Sequence, residues 1–328
     1  MTYANESRMK IAGSCAIALL AGFVSCLQGQ TLVATGGSTR FAAGVLGDDF
    51  PVWTGGVFVI VEKNLTATPV IRTFDQTGRE LPPIEFVIPD SDETGVFGVV
   101  HGEGGYVVCG QAFDQQKGRE EGFISWISPD RQTLTTARTF PYIPYMVTEA
   151  PDGTVWTEGA ETVDGLETDP AVNPNRGVIR RFDKSGVQIG SFLPRSSVFP
   201  DGKWMGLPQG EMASNKDRIG WYARIAQQYV EITYEGAVRV YAGFAPPMSE
   251  PRITNLVLLD SGEVVAGASA KRGGNFLYRL DRSSGAWMPV EVPGAPITPQ
   301  LYGGDHDQLA LWASDAATFK IVFFALDK

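Results

Sequence analysis

Apolar residues in this chain fall into short runs, each closed within a few positions by Gly, Pro, Asp or Ser, and nowhere does a 3.6-residue period persist beyond two turns. That pattern predicts strands joined by tight turns. Around residue 150 the grammar is clearest: 145–149 reads as a strand, Ala150-Pro151-Asp152-Gly153 as a turn, and 154–157, 178–182 and 187–193 as three further strands. The plan returns later in the chain, with strands at 256–259, 264–268, 276–280 and 287–292 and turns at Asp260-Ser261-Gly262 and Ser284-Gly285. The Asp-Gly and Ser-Gly steps supply the positive φ that hairpin turns require.

The runs repeat at long range. Proline follows similar strand-like segments at Pro89, Pro141, Pro194, Pro246 and Pro293, at spacings of 52, 53, 52 and 47 residues. Ile71-Arg72-Thr73-Phe74-Asp75-Gln76-Thr77-Gly78 and Ile179-Arg180-Arg181-Phe182-Asp183-Lys184-Ser185-Gly186 are near copies 108 residues apart, two periods of the same repeat. Four strands per repeat of about 50 residues is the arithmetic of a β-propeller blade, and the chain from residue 31 onward has room for six. The expected fold is therefore all-β, a six-bladed β-propeller of four-stranded blades. Its last unit shows only three strands, at 301–302, 309–312 and 320–324, so Leu32-Val33-Ala34-Thr35 is expected to supply the fourth and close the ring. Residues 211–217 interrupt the pattern and read as a long turn between the first and second strands of the fourth blade, with a short helix as the alternative.

Composition agrees with that expectation. Of 328 residues, 38 are Gly and 21 Pro, an excess that suits many turns and disfavours a helical bundle. The N-terminus is different: 11–27 is uncharged and rich in small residues, and follows Arg8 and Lys10, the pattern of a secretory signal too short to span a membrane comfortably. Residues 1–27 are assigned to that signal and 28–328 to a single domain; Met9 is an alternative start. Phe23-Val24-Ser25-Cys26 has the form of a bacterial lipobox, which would acylate Cys26, with Phe in place of the usual Leu. Ordinary cleavage between Cys26 and Gln30, releasing a soluble protein, is the favoured reading and acylation the alternative. Either route places the protein outside the bacterial cytoplasm, secreted, periplasmic or held at the envelope by a lipid.

Beyond the signal one cysteine remains, Cys109, in the apolar run Tyr106-Val107-Val108-Cys109-Gly110, so no intramolecular disulfide is expected and the thiol reads as a small buried hydrophobe. The chain has 27 basic and 37 acidic side chains, a formal charge of −10. Nucleic acid, which needs clustered Lys and Arg, is thereby disfavoured as a partner. A monomer is expected, touching a membrane only through a lipid anchor.

The segment Ala150-Pro151-Asp152-Gly153-Thr154-Val155-Trp156, followed by Arg176-Gly177-Val178-Ile179-Arg180-Arg181-Phe182-Asp183-Lys184-Ser185-Gly186, resembles a blade of the six-bladed propeller superfamily that includes NHL-repeat, TolB-like and gluconolactonase-like proteins. Streptogramin lyases, with seven blades, carry a similar motif. The match is strong over one blade and echoed in the others, and its turn residues are structural, so it implies architecture without activity.

Candidate chemistry is sparse. His101 and His306, the two histidines, fall in turns between first and second strands and read as solvated turn residues on the face opposite a propeller's usual ligand site. Asp305-His306-Asp307 is too compact for its three side chains to converge on one metal ion. The loops after fourth strands carry Tyr142, Tyr145, Arg195, Trp204 and Arg252, aromatics and arginines that suit a sugar, peptide or anionic ligand or else pack between blades. The insertion 158–176 contributes Glu161, Asp164, Glu167 and Asp169, without the spacing of a compact Ca²⁺ loop. No cofactor, metal site or catalytic set is expected. A scaffold that binds a protein, peptide or glycan is the favoured function, with a metal-dependent hydrolase or lyase in the central channel as the alternative.

Overall fold

The computed structural model describes residues 30–41, 51–116, 118–163, 166–167, 177–198, 210–244, 252–269, 274–293, 299–315 and 318–327. After the N-terminal strand β1 (Gln30–Phe41) come β2 (Val52–Thr54), β3 (Val57–Lys63), β4 (Val70–Phe74) and β5 (Glu80–Glu85), then β6 (Glu93–Gly102), β7 (Gly105–Asp114), β8 (Arg119–Ile127) and β9 (Leu134–Arg138). The third group is β10 (Tyr142–Glu149), β11 (Val155–Val163), the short β12 (Leu166–Glu167), β13 (Gly177–Phe182) and β14 (Gln188–Pro194), followed by one helical turn, α1 (Arg195–Val198). The fourth is β15 (Gly210–Ser214), β16 (Arg218–Ala223), β17 (Gln228–Thr233) and β18 (Val238–Ala242), and the fifth β19 (Arg252–Leu258), β20 (Val264–Ser269), β21 (Asn275–Asp281) and β22 (Ala286–Glu291). The last is β23 (Leu301–Asp305), β24 (Gln308–Asp315) and β25 (Thr318–Leu326).

Groups two, three and four are separate antiparallel sheets, and the remaining strands form one 12-stranded sheet in the order β19-β20-β21-β22-β1-β25-β24-β23-β2-β3-β4-β5. Within that sheet three antiparallel runs of four are joined by brief parallel links: Gln30 and Thr31 pair with Val290 and Glu291, and Trp53 pairs with Gly303. The N-terminal strand completes the run of β23 to β25, since β1 pairs antiparallel with β25 from Leu32↔Leu326 to Phe41↔Phe319. First strands are neighbours in sequence around the molecule: β2 beside β6, β6 beside β10, β10 beside β15, β15 beside β19, β19 beside β23, and β23 beside β2.

Packing explains why the inner strands are apolar on both faces rather than alternating. The sheets lie face to face, so successive residues of one strand enter two different cores. In β7, Tyr106 and Val108 join the cluster shared with Val59, Ile71 and Ile84, while Val107 and Cys109 join the one shared with Tyr142 and Val155. In β16, Trp221 packs with Trp156 and Ile179 and its neighbour Tyr222 packs with Phe244 and Tyr278. Phe41 and Leu32 of β1 are both about 1% exposed and enter two separate clusters, with Phe58 and Phe74 and with Val265 and Leu309.

The turn expectations hold at the glycines that matter most: Gly153 and Gly186 have φ of +76° and +82°, in the left-handed region. At Gly186 an added Cβ would also lie 2.1 Å from the Cβ of Ala137 on the preceding sheet. Strand boundaries run longer than the sequence suggests, because a β-bulge extends several first strands. In β10 it falls between Pro144 and Met146, and β6, β19 and β23 carry one at the corresponding place. One expectation is corrected: Gly210–Ser214 is a strand in register with Arg218–Ala223, so the turn is only Asn215 to Asp217. Glu211, Met212 and Ala213 are only partly buried, which removed the apolar signal that would have marked the strand.

Adjacent sheets are also tied by polar contacts. Glu231 of β17 is 2% exposed at its side chain and takes Arg218 Nη1 at 3.1 Å from its own sheet and Arg282 Nη2 at 2.6 Å from the next. The Tyr229 hydroxyl donates to the same carboxylate at 3.1 Å. Burial alone would raise the Glu231 pKa; the bond and charge of Arg282, with those of Arg218, overcome it and hold the carboxyl below the usual range. Arg181 likewise bridges outward, meeting Asp152 at 2.7 Å and donating to the Tyr234 carbonyl at 2.9 Å while its guanidinium lies over Trp156.

Candidate functional site

Of the residues expected to face a ligand, two are described with their side chains, and both are interior. Tyr142, fully buried at the start of β10, places its hydroxyl 2.9 Å from Thr157 Oγ1, with the Arg180 guanidinium 4.0 Å above its ring. Burial, against the charge of Arg180, raises its phenol far above the ordinary range. Tyr145 occupies the β10 bulge, 6% exposed, its ring 5.5 Å from Phe97 of the neighbouring first strand. Neither offers a surface to a ligand: β10 begins at Tyr142, so both belong to a strand and not to the preceding loop. Arg195 opens α1 and Arg252 opens β19, while Trp204 and Cys26 lie outside the described residues, as does the whole of 1–29.

The acidic insertion begins later than its sequence suggests. Glu158 and Glu161 belong to β11 and are buried, Glu161 in an ion pair with Arg180 of β13. Thus Glu161, Arg180, Tyr142 and Thr157 make one satisfied polar cluster inside the third sheet. Glu158 adds a negative charge close enough to raise further both the Tyr142 phenol and the Cys109 thiol, each pushed up first by burial. Glu167 lies in β12; Asp164 and Asp169 lie outside the described residues.

The histidines do different work from each other. His101 is not a solvated turn residue: it is part of β6, half-buried, with Nδ1 2.6 Å from the Gly55 carbonyl and its ring 4.6 Å from Tyr106. His306, 81% exposed at its side chain, is in the turn as expected, its Nδ1 2.7 Å from Asp260 Oδ2 of the neighbouring strand group. The hydrogen bond to Asp260, reinforced by the charge of Asp305, raises its pKa. In the same turn Asp307 accepts from the Ser261 amide at 2.7 Å. The contacts of His101 with Gly55, His306 with Asp260 and Asp307 with Ser261 join one strand group to the next, each at the end where first strands turn into second strands. Among the described residues no three His, Cys, Asp or Glu side chains converge as metal ligands would.

A cavity lined by described residues lies elsewhere, on the outside between the first two groups. A groove of about 960 Å³ runs along β5, from Leu81, Pro82 and Pro83 to Phe86 and Val87, and is walled on the far side by Ile127, the turn Pro129 to Gln132, and Leu134 of β9. Its two ends are pinned by arginines. Arg131, at a left-handed φ of +63°, donates to Thr73 Oγ1 and to the Tyr106 hydroxyl at 3.0 and 3.1 Å, and Arg138 donates to the Pro89 carbonyl. The groove lies between these contacts. At three other boundaries there is direct contact: Trp287 donates to the Ala242 carbonyl at 2.9 Å, Gly186 sits against Ala137, and β1 pairs with β22. The sequence carried a signal for this place, the Pro82-Pro83 pair in an outer strand, which marks an edge that cannot continue a hydrogen-bonded ladder.

No protein-family model matches the chain, and no curated protein matches it by sequence. Solved structures do. Virginiamycin B lyase from Staphylococcus aureus superposes with a TM-score of 0.51 at 14% identity, covering 91% of this chain and 95% of that one. A member of the DUF4221 family from Bacteroides vulgatus gives 0.48 at 10% identity, covering 90% and 98%, and a putative gluconolactonase 0.45 at 13%, covering 90% and 94%. The likeness to virginiamycin B lyase shows a β-propeller fold. At such identities the likeness extends to the fold alone, because propellers host many unrelated functions.

Proposed function

We propose that this protein is an exported, six-bladed β-propeller that serves as a non-catalytic binding scaffold for a partner molecule. Support for six blades closed into a ring comes from the six antiparallel runs of four strands, from the cycle of neighbouring first strands, and from the pairing of β1 with β25. Export rests on the signal-like segment 11–27, with release by cleavage between Cys26 and Gln30 as the first reading and a lipid anchor on Cys26 as the alternative. The observation that carries the binding reading is the groove of about 960 Å³ between the first two blades. Both histidines, the natural near-neutral bases, are spent on contacts between blades.

The test is a thermal-shift and turnover screen on the mature protein, with Ca²⁺, Mg²⁺ and Zn²⁺, a chelator, soluble oligosaccharides, peptides, and lactone and ester substrates. Stabilisation by an organic ligand without turnover is expected. Metal-dependent turnover of a lactone or ester would establish the enzyme reading in its place. Export is checked by intact mass and cell fractionation, and a full-length cytoplasmic protein would remove that part of the proposal.

A further inference from the structure

Resting on the scaffold reading, we infer that the groove between the first two blades holds an extended polypeptide segment with apolar side chains and a Lys or Arg at one end. Its shape argues for a chain. The groove follows β5, six residues or roughly 20 Å of extended backbone, and is open along its length rather than closed like a small-molecule pocket.

Its lining argues for a peptide rather than a glycan. The exposed surfaces are aliphatic, with Val87 53% and Leu134 38% exposed beside the exposed Pro82 and Pro83, whereas the one aromatic in the lining, Phe86, is 5% exposed and presents no platform for a sugar ring. Two adjacent prolines lack the amides that strand addition needs. Recognition is therefore by side chains in the groove and not by extension of the sheet.

The charge comes from the rim. Glu85 and Asp130 are both exposed there. Asp130 is held in its anionic form by the Ser128 hydroxyl and the Gln132 amide, which bond to it at 2.5 and 3.1 Å. The neighbouring cation, Arg131, is directed inward to Thr73 and Tyr106, so the rim presents net negative charge to an arriving segment. A basic residue in that segment is complementary to it.

The probe is a positional-scanning library of fluorescein-labelled octapeptides titrated against the mature protein by anisotropy. Enrichment of Val, Leu, Ile or Pro at central positions and of Lys or Arg at one end is expected. The paired variant Val87→Asp/Leu134→Asp, at exposed positions, should weaken the selected peptide at least tenfold at unchanged melting temperature; Glu85→Lys and Asp130→Asn should each weaken it about threefold and relax the preference for a basic end.

Three results would overturn the inference while leaving the scaffold reading intact: selected peptides that bind Val87→Asp/Leu134→Asp as tightly as the parent, a selection indifferent to charge, or binding by oligosaccharides instead. Self-association in sedimentation experiments that this variant abolishes would assign the groove to a second copy of the chain and also overturn it. Absence of any enrichment across the library refutes the peptide directly.

Discussion

Replacing Glu231 with Ala removes a carboxylate on which arginines from two consecutive blades and a tyrosine hydroxyl converge, with a side chain only 2% exposed. Taking away one member of a buried pair costs roughly 3–5 kcal/mol, because the partner charge stays behind without compensation. Here Arg218 and Arg282 keep 24% and 25% side-chain exposure, so water can reach both after the change. The lower end applies, a loss of about 3 kcal/mol. Glu231→Gln retains an acceptor for Tyr229 and for one arginine and should lose less, about 1–2 kcal/mol.

Urea titration at neutral pH, followed by tryptophan fluorescence, reads both numbers if the slope is unchanged. The pH dependence gives a second check. Since the folded Glu231 pKa is depressed, its stabilisation is full above the ordinary glutamate range and is lost as pH falls through the folded value. The difference between wild type and Glu231→Gln should therefore shrink on acidification. A loss below about 1 kcal/mol for Glu231→Ala, or a difference independent of pH, would refute the claim that this carboxylate fastens the two blades.

Further predictions follow the same contacts. His306 should titrate above its ordinary value by NMR. Its stabilising bond to Asp260 is present below the unfolded histidine pKa and lost as pH rises through the raised folded one, with His306→Ala costing at most about 0.5 kcal/mol at low pH because the pair is exposed. Cys109, fully buried and with its thiol pushed up by burial, should react with a thiol reagent only on unfolding; rapid labelling of the native protein would contradict its placement. Gly186→Ala should cost about 3 kcal/mol, from strain at φ +82° plus the clash with Ala137, whereas Gly262→Ala, at φ +91° with nothing within 4 Å, should cost about 1 kcal/mol. Equal losses at the two positions would show that the contact with Ala137 is not tight.

The repeat and its four-strand grammar were legible because turns are local: Asp183 to Gly186 and Asp281 to Gly285 form their turns from neighbours in sequence, through bonds such as Gly186 N to Asp183 O. Strands β15 and β10 show where local reading stopped. Gly210–Ser214 is a first strand with half-buried positions, so it carries little apolar signal, and only its pairing with β16 defines it. Tyr142 and Tyr145 look like loop residues after Pro141, yet the β10 bulge and the pairing with β11 draw both inside. Likewise Glu158 and Glu161 read as a solvated acidic loop, because the buried partner of Glu161, Arg180, is 19 residues away. The groove was invisible for a related reason: its walls come from two strand groups about 45 residues apart in sequence, Leu81–Val87 and Ile127–Leu134, and only the Pro82-Pro83 pair marked one of them.

The proposed closure of the ring rests on the pairing of β1 with β25. Removing residues 30–41 deletes Leu32 and Phe41 from two cores, each about 1% exposed, and leaves β25 with an open edge. Losing two such side chains costs roughly 2–5 kcal/mol apiece. Thermal unfolding of the shortened mature protein measures the consequence directly. A fall of about 10 °C or more, or failure to fold as a monomer, is what closure requires; a melting temperature within about 2 °C of the intact protein would contradict it.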